Sequence, residues 1–352
     1  MKKSGITIAS LGFGHGLNDF IAGYFLGRLV QSPGQIVQVG MGLLLYNLLA
    51  FGGQYPVALW LEKLASPRRP LILAYTLNII AVACFPFVPQ ISIILAGVAS
   101  AIYHVAGGAV CASENKATHI GIFAAPGVAG LILGGWVAYN GINIIGWLLA
   151  VAALFLVILF FLKLERKSPS VENSHLQHQK FSLDGHDIIM ILLLTIISMR
   201  SVIWNVFQLI HQNDYGWLLA IGGAAFAGKI AGGWIADRIG WRFWLYISML
   251  LATPLITLFR KEMILFCIGI GLLQSGIPAT TALLIRSMRG KTERSVALSF
   301  GTAIMAAAIL FYTPARIFLQ SNTILFVLAG LMLLLLYFSA LKKERRPAAG
   351  II

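Results

Sequence analysis

The sequence predicts an all-α integral membrane protein whose twelve transmembrane helices form two halves of six. Three observations carry this. Apolar residues make up 59% of the 352-residue chain and charged residues only 11%, against roughly 25% charged in a soluble domain; the mean hydropathy is +0.86. Apolar segments of spanning length follow one another with short connections, and one long polar stretch divides them six and six. The segments run over 5–27, 36–61, 71–88, 90–112, 118–139, 142–163, 187–210, 215–236, 242–259, 263–285, 295–315 and 322–341, each near the 17–25 residues a helix needs to cross hydrocarbon. None alternates as a membrane β-strand does.

The net charge of +14 comes from short basic clusters between apolar runs, with no continuous basic face and no nucleic-acid motif. A nucleic-acid partner is therefore not expected. Of the 26 Lys and Arg residues, Arg28, Arg260, Lys261 and Arg316 fall at one side, Arg200 and Lys229 lie inside spans, and the remainder gather at the other side. The positive-inside rule makes that basic side cytoplasmic, with both termini there, in an inner membrane. The first apolar run is too long for a signal h-region and contains Asp19, so it is expected to be a retained span. The expected organisation is an N-terminal half at 1–166, a cytoplasmic linker at 167–186, a C-terminal half at 187–346 and a tail at 347–352. His175, His178 and His186 in the linker match no metal-site spacing, and Cys84, Cys111 and Cys267 read as small core residues. Nothing requires a cofactor or an oligomer, so a monomer in the lipid bilayer is expected.

Span one carries His15, Asn18 and Asp19 within Gly12–Gly27. An ionisable group at membrane depth usually faces a polar pathway or a partner, and residues four apart share a helix face. Asp19 can titrate with alternating access, as proton coupling needs, or pair statically with Arg200 or His15. Counting about 1.5 Å per residue, His15, Asp19, His104 in span four and Arg200 in span seven all reach mid-membrane. Asp19, His15 and His104 are the proton-coupling candidates. Asn18, Tyr103, Arg200, Trp204, Asn205, Gln208 and Gln274 are the substrate-binding candidates, with Arg200 as the anion clamp and Gln274 beside an expected helix break at Pro278. Tyr24, Tyr46, Asn47, Gln54 and Asn78 are secondary candidates. Lys229 is expected to reach toward the cytoplasm.

Between spans eight and nine stands Gly233-Trp-Ile-Ala-Asp237-Arg238-Ile-Gly240-Trp-Arg242, which resembles the signature loop of the major facilitator superfamily, G-x-x-x-D-R-x-G-x-R. Gly233 allows close helix packing, Asp237 can receive a helix N-terminus or a basic partner, and Gly240 permits a tight turn. The corresponding loop of the first half, Leu61-Glu62-Lys63 to Arg69, keeps charges but lacks the Asp and the turn glycine. His15-x-x-Asn18-Asp19, Tyr103-His104 and the glycines of spans four and five resemble the fosmidomycin-resistance branch, with Val105 where that branch has proline. Gly121, Gly130 and Gly134 partly resemble the antiporter motif of drug exporters. The resemblance implies the major facilitator fold, spans one, four, seven and ten around a cavity, and export of a drug-like or metabolite molecule.

The expected function is secondary active transport of a small polar or anionic organic molecule by alternating access, proton-coupled and outward. The alternative is a divalent metal-ion carrier with Asp19, His15 and His104 as ligands. An enzyme is not expected, since no nucleophile–base motif, metalloprotease helix or phosphate loop is present.

Overall fold

The computed structural model describes residues 5–31, 36–164, 185–211, 214–309 and 313–341. Among these residues every regular element is helical. The spans are α1 (Gly5–Val30), α3 (Arg68–Cys84), α4 (Pro89–Ala112), α5 (Ala117–Tyr139), α6 (Ile145–Phe161), α7 (Gly185–Ile210), α8 (Tyr215–Ile239), α9 (Trp241–Leu258), α10 (Met263–Ser287) and α12 (Asn322–Leu341). Two more are built in pieces. In α2, Ile36–Asn47 and Gln54–Leu61 flank a π turn at Leu48–Gly52; in α11, Thr292–Ala297 and Ala303–Ile309 flank another at Leu298–Thr302. A short helix, Ala315–Leu319, precedes α12. Every predicted span thus coincides with a helix, and α4, α5, α7, α8, α9, α10 and α12 are each long and apolar enough alone to cross a bilayer.

One local expectation needs correction. α10 runs unbroken through Pro278, because proline removes one backbone donor without forcing a break where neighbouring helices hold the segment. The interruptions lie instead in α2 and α11, beside Gly52-Gly53 and Gly301. The polar linker, with His175 and His178, and the tail lie outside the described residues, while His186 sits in the first turn of α7.

The interior divides into two apolar clusters. One is built mainly from α1 to α6 around Tyr24, Tyr75, Tyr103, Phe123 and Phe155, with Ile285 and Phe300 from the second half; the other draws mainly on α7 to α12 around Phe207, Ile221, Met249 and Phe266, with Ala117 from α5. Apolar side chains on the outside, such as Trp147, Phe161 and Ile264, are strongly exposed, which suits a surface bathed in lipid.

Helix-to-helix contact in a membrane depends on small residues that admit a facing backbone. The α1–α5 pair shows this: a side chain on Gly130 would run into the Gly16 carbonyl, and one on Gly134 into the Phe20 carbonyl. The same device joins the two halves, where Gly121 of α5 faces the Lys229 carbonyl and Gly233 of α8 faces the Ala117 carbonyl. Gly130→Val is expected to lower stability by about 1–3 kcal/mol, the usual penalty of overpacking, read as a lower melting temperature in detergent.

Candidate functional site

Close approach of α1, α4 and α5 brings three ionisable side chains into one cluster. His15 Nε2 lies 3.2 Å from Asp19 Oδ2, and His104 Nε2 lies 3.7 Å from Asp19 Oδ1. The two imidazoles meet at 2.8 Å, Nε2 to Nε2, with their rings nearly edge-on at 81°. The Phe123 carbonyl lies 2.7 Å from His15 Nδ1, and Phe123 itself stacks on the His15 ring. His104 Nδ1 lies 2.7 Å from the carbonyl of Ser100, one turn earlier. Room for the cluster comes from Gly127, where a β-carbon would sit 2.5 Å from His15 Nε2 and 2.7 Å from Asp19 Oδ2.

A layer of hydrogen bonds holds Asp19 from behind. Asn18 Nδ2 donates to Asp19 Oδ1 at 2.9 Å and to Ser100 Oγ at 3.2 Å, while Asn78 donates to Asn18 Oδ1 at 2.9 Å. Tyr46 donates to the same Ser100 hydroxyl.

The cluster forms one wall of a cavity of about 500 Å³. Along α1 this cavity reaches from His15 to Leu26, about 16 Å toward the end opposite the basic clusters. Arg200, Ser201, Trp204, Asn205 and Gln208 line it from one face of α7, Lys229 from α8 and Gln274 from α10. Arg200 is 3% exposed, and among the described residues its guanidinium makes one hydrogen bond, to Thr280 Oγ1 at 3.2 Å. A guanidinium has five N–H donors, so most remain for a ligand or water. The Lys229 ammonium donates to the Ala124 carbonyl at 3.3 Å. Phe51 and Phe300, one from each π turn, also line this cavity.

At the basic end the two halves are locked together. Asp237 accepts from the backbone N–H groups of Ala117 (2.9 Å) and Thr118 (2.8 Å), from the Thr118 hydroxyl (2.6 Å) and from Trp241 Nε1 (2.8 Å). A carboxylate therefore caps the start of α5, where the helix dipole favours negative charge. Glu62, after α2, forms a two-pronged pair with Arg294 in the first turn of α11, both contacts at 2.7 Å. Between these locks, Gln54 Nε2 donates to the Phe300 carbonyl, and a side chain on Gly301 would meet the Phe51 carbonyl at 2.6 Å. The cavity is thus closed toward the basic end and extends the other way.

A family model described as Major Facilitator Superfamily matches residues 8–253, more than half of the chain. The chain belongs to the Major Facilitator Superfamily. It is accordingly a membrane transporter and not an enzyme. No curated protein matches its sequence. Among solved structures, FucP, a superfamily transporter in the outward conformation, is similar with a TM-score of 0.74 at 12% identity, over 96% of this chain and 98% of that one. A structure of the E. coli fucose:proton symporter FucP gives 0.71 at 13% identity over 96% and 98%. The human organic anion transporter MFSD10 (TETRAN) gives 0.69 at 16% identity over 96% and 100%. At these identities the likeness shows the fold.

In this superfamily member the residues of the signature loop have a defined local geometry. Gly233 packs on the start of α5, Gly240 makes the turn at φ 101°, and Arg238 lies 3.4 Å over the Trp234 ring. Arg242 lines a groove at the basic end with Lys116 and Arg286. Of the sequence-predicted pathway residues, His15, Asp19, His104, Arg200, Trp204, Asn205, Gln208 and Gln274 reach the one cavity, as do Tyr46 and Asn47.

Two predicted substrate contacts do not line it. Asn18 is buried behind Asp19, and Tyr103 is fully buried with its hydroxyl on the Leu11 carbonyl, packed against Tyr75 and Phe123. Tyr24 and Gln54 bond to backbone carbonyls instead. Conversely, Lys229 faces the cavity rather than the basic end. Its position in the middle of α8 was the available signal. The ion pairs of Asp19 are with the two histidines, which displaces the Asp19–Arg200 pairing.

The three groups also satisfy the donor types of a divalent metal site, with their ligand atoms all within 4.8 Å. The geometry fits a hydrogen-bonded pair better. Two nitrogens on one tetrahedral ion at 2.0–2.1 Å stand about 3.3 Å apart, wider than the 2.8 Å observed. Arg200 and Lys229 in the same cavity further repel a cation.

Gly127→Ala is expected to push His15 and Asp19 apart and to lower the melting temperature, since the new methyl overlaps both. Asp237→Ala leaves two backbone N–H groups of α5 without their acceptor, a loss of about 0.5–2 kcal/mol. Faster hydrogen exchange at the Ala117 and Thr118 amides, with the rest of α5 unchanged, is the expected readout.

Proposed function

We propose that this transporter carries small organic anions by alternating access, moving each together with a proton. One observation carries the reading: a closed-ended cavity inside the bilayer presents Arg200 and Lys229 with a single carboxylate, and that carboxylate is already matched by two histidines. Cations at low dielectric attract an anion strongly, and the planar fork of arginine suits carboxylate or phosphonate oxygens. Trp204, Phe51 and Phe300 suit an apolar body, while Asn205, Gln208, Gln274 and Ser299 suit its polar groups.

Coupling follows from the same charges. The His15–Asp19–His104 cluster is the proton-binding group. A proton bound there adds positive charge to the cavity and strengthens anion binding, and by reciprocity the anion strengthens proton binding. A cationic cargo would compete with the proton and be exchanged for it; an anionic one travels with it. The charges thus support symport, whereas the glycine motif of α5 and the fosmidomycin-resistance likeness imply export. That likeness, resting on His15-x-x-Asn18-Asp19, places phosphonates among the first anions to test.

In this reading the basic end is cytoplasmic in an inner membrane, the transporter works as a monomer, and 1–166 rocks against 187–346 around the cavity. The Asp237 cap and the Glu62–Arg294 pair are the contacts that must open for release inward. Both belong to the gate rather than to the cargo site.

The test uses purified protein in proteoliposomes with an internal pH dye and a panel of carboxylates, phosphonates and divalent metals. Anion uptake with protons moving in the same direction is expected. Arg200→Gln and Lys229→Gln should each raise the half-saturating anion concentration by about thirtyfold or more, the low end of the 2–5 kcal/mol scale for loss of a buried charge partner. Proton movement opposite to the anion would favour exchange, and movement seen with metals alone would restore the cation carrier.

A further inference from the structure

We infer that His15 and His104 together hold one shared proton between their Nε2 atoms, with Asp19 as a permanently ionised counter-charge. This rests on the reading of the cluster as the coupling group and deepens it, because it moves the proton from the carboxylate to the imidazole pair.

Donors and acceptors around the two rings decide where hydrogen can sit. A neutral imidazole has one N–H and one lone pair; only the imidazolium has two N–H groups. His15 Nδ1 sits 2.7 Å from the Phe123 carbonyl, which can only accept, so that nitrogen carries hydrogen. His104 Nδ1 sits 2.7 Å from the Ser100 carbonyl and carries hydrogen for the same reason. The Ser100 hydroxyl, 3.0 Å from the same nitrogen, does not change this: if it donated there, a nitrogen lone pair would face the carbonyl at 2.7 Å. With both Nδ1 positions protonated, two neutral rings would present two lone pairs to each other across 2.8 Å. One proton between them turns that repulsion into a charge-assisted hydrogen bond.

Placing the proton on Asp19 leaves the clash of lone pairs in place. Asp19 Oδ1 accepts from Asn18 at 2.9 Å, and Oδ2 faces His15 Nε2 at 3.2 Å. The other titratable groups at the cavity are Tyr46 from α2, Arg200 from α7 and Lys229 from α8. Tyr46 bonds Ser100, Arg200 bonds Thr280, and Lys229 bonds the Ala124 carbonyl. None of them donates into the gap between the rings. α5 contributes the Phe123 carbonyl and the space at Gly127. Loss of the shared proton restores the opposed lone pairs, so deprotonation must drive His15 and His104 apart. That is a local event at the interface of α1 and α4 which alternating access can use.

The deciding experiment is nitrogen-15 magnetic resonance of histidine-labelled full-length protein in lipid nanodiscs, without cargo, as pH is raised. The chain has seven histidines, and His15→Gln and His104→Gln variants assign the two of interest. The expected result is a pair with both Nδ1 positions protonated that loses a single proton in one step and separates as it does so. In either variant the remaining ring should titrate alone, and Asp19→Asn should leave the pair without its proton at neutral pH. Two rings that titrate independently, or a neutral ring protonated at Nε2 in the wild type, would overturn the inference. If one variant does not fold, the other assigns its ring and the coupling between the two Nε2 atoms identifies its partner, so the wild-type tautomers still decide between these outcomes. Because no anion is present, a failure of anion uptake in proteoliposomes would remove the transport reading while leaving this result intact.

Discussion

A carboxylate in the middle of a bilayer has to be matched by positive charge within a few ångströms, and much of this structure serves that requirement. An unpaired charge at membrane depth is expensive, and breaking a buried pair strands its partner. Asp19 meets two imidazoles and an amide donor, but they come together only because α1, α4 and α5 approach almost to backbone contact. Gly127, Gly130 and Gly134 make that approach possible. The glycines of α5 and the polar residues of α1 are therefore one device. Small residues bring the helices together, and the helices bring the charges together.

The same requirement for close contact shapes the basic end. The two halves are related in plan but use different chemistry for equivalent contacts. After α8, Asp237 caps the start of α5 through backbone N–H groups, which almost any sequence there supplies. After α2, the corresponding acid is Glu62, and its partner is the Arg294 side chain at the start of α11. The cap is held by backbone donors and the helix dipole, whereas the Glu62–Arg294 pair is a half-buried, two-pronged contact between side chains. The π turns of α2 and α11 stand on the α2–α11 seam, facing each other through Phe51 and Gly301. Such turns interrupt the regular backbone ladder and recur at functional sites.

The fold was legible because hydrocarbon imposes a length. Twelve runs of spanning length, alternating loop charge and one polar divider leave little freedom, and a helix lies under each run. Much of the site was legible as well. His15 and Asp19 stand four apart on one helix, and Arg200, Trp204, Asn205 and Gln208 fall on one face of another, so helical periodicity alone places each set. Where expectation and structure part, distances between helices decided the outcome. Lys229 has the length to reach the basic end but turns into the cavity. Tyr103 neighbours His104 in sequence yet points to the far side of α4 and locks onto α1.

The chain by itself determined that it spans the membrane twelve times, that its charge is biased to one side, and that ionisable groups lie at mid-depth. These follow from composition and periodicity, which need only local structure. Only the tertiary structure decided which of those groups touch. It set two imidazoles 2.8 Å apart, gave Asp19 to the histidines rather than to Arg200, and tied the basic end together while the cavity extends the other way. Those outcomes depend on how closely particular glycines let neighbouring backbones approach, a quantity that emerges when the helices are packed against one another.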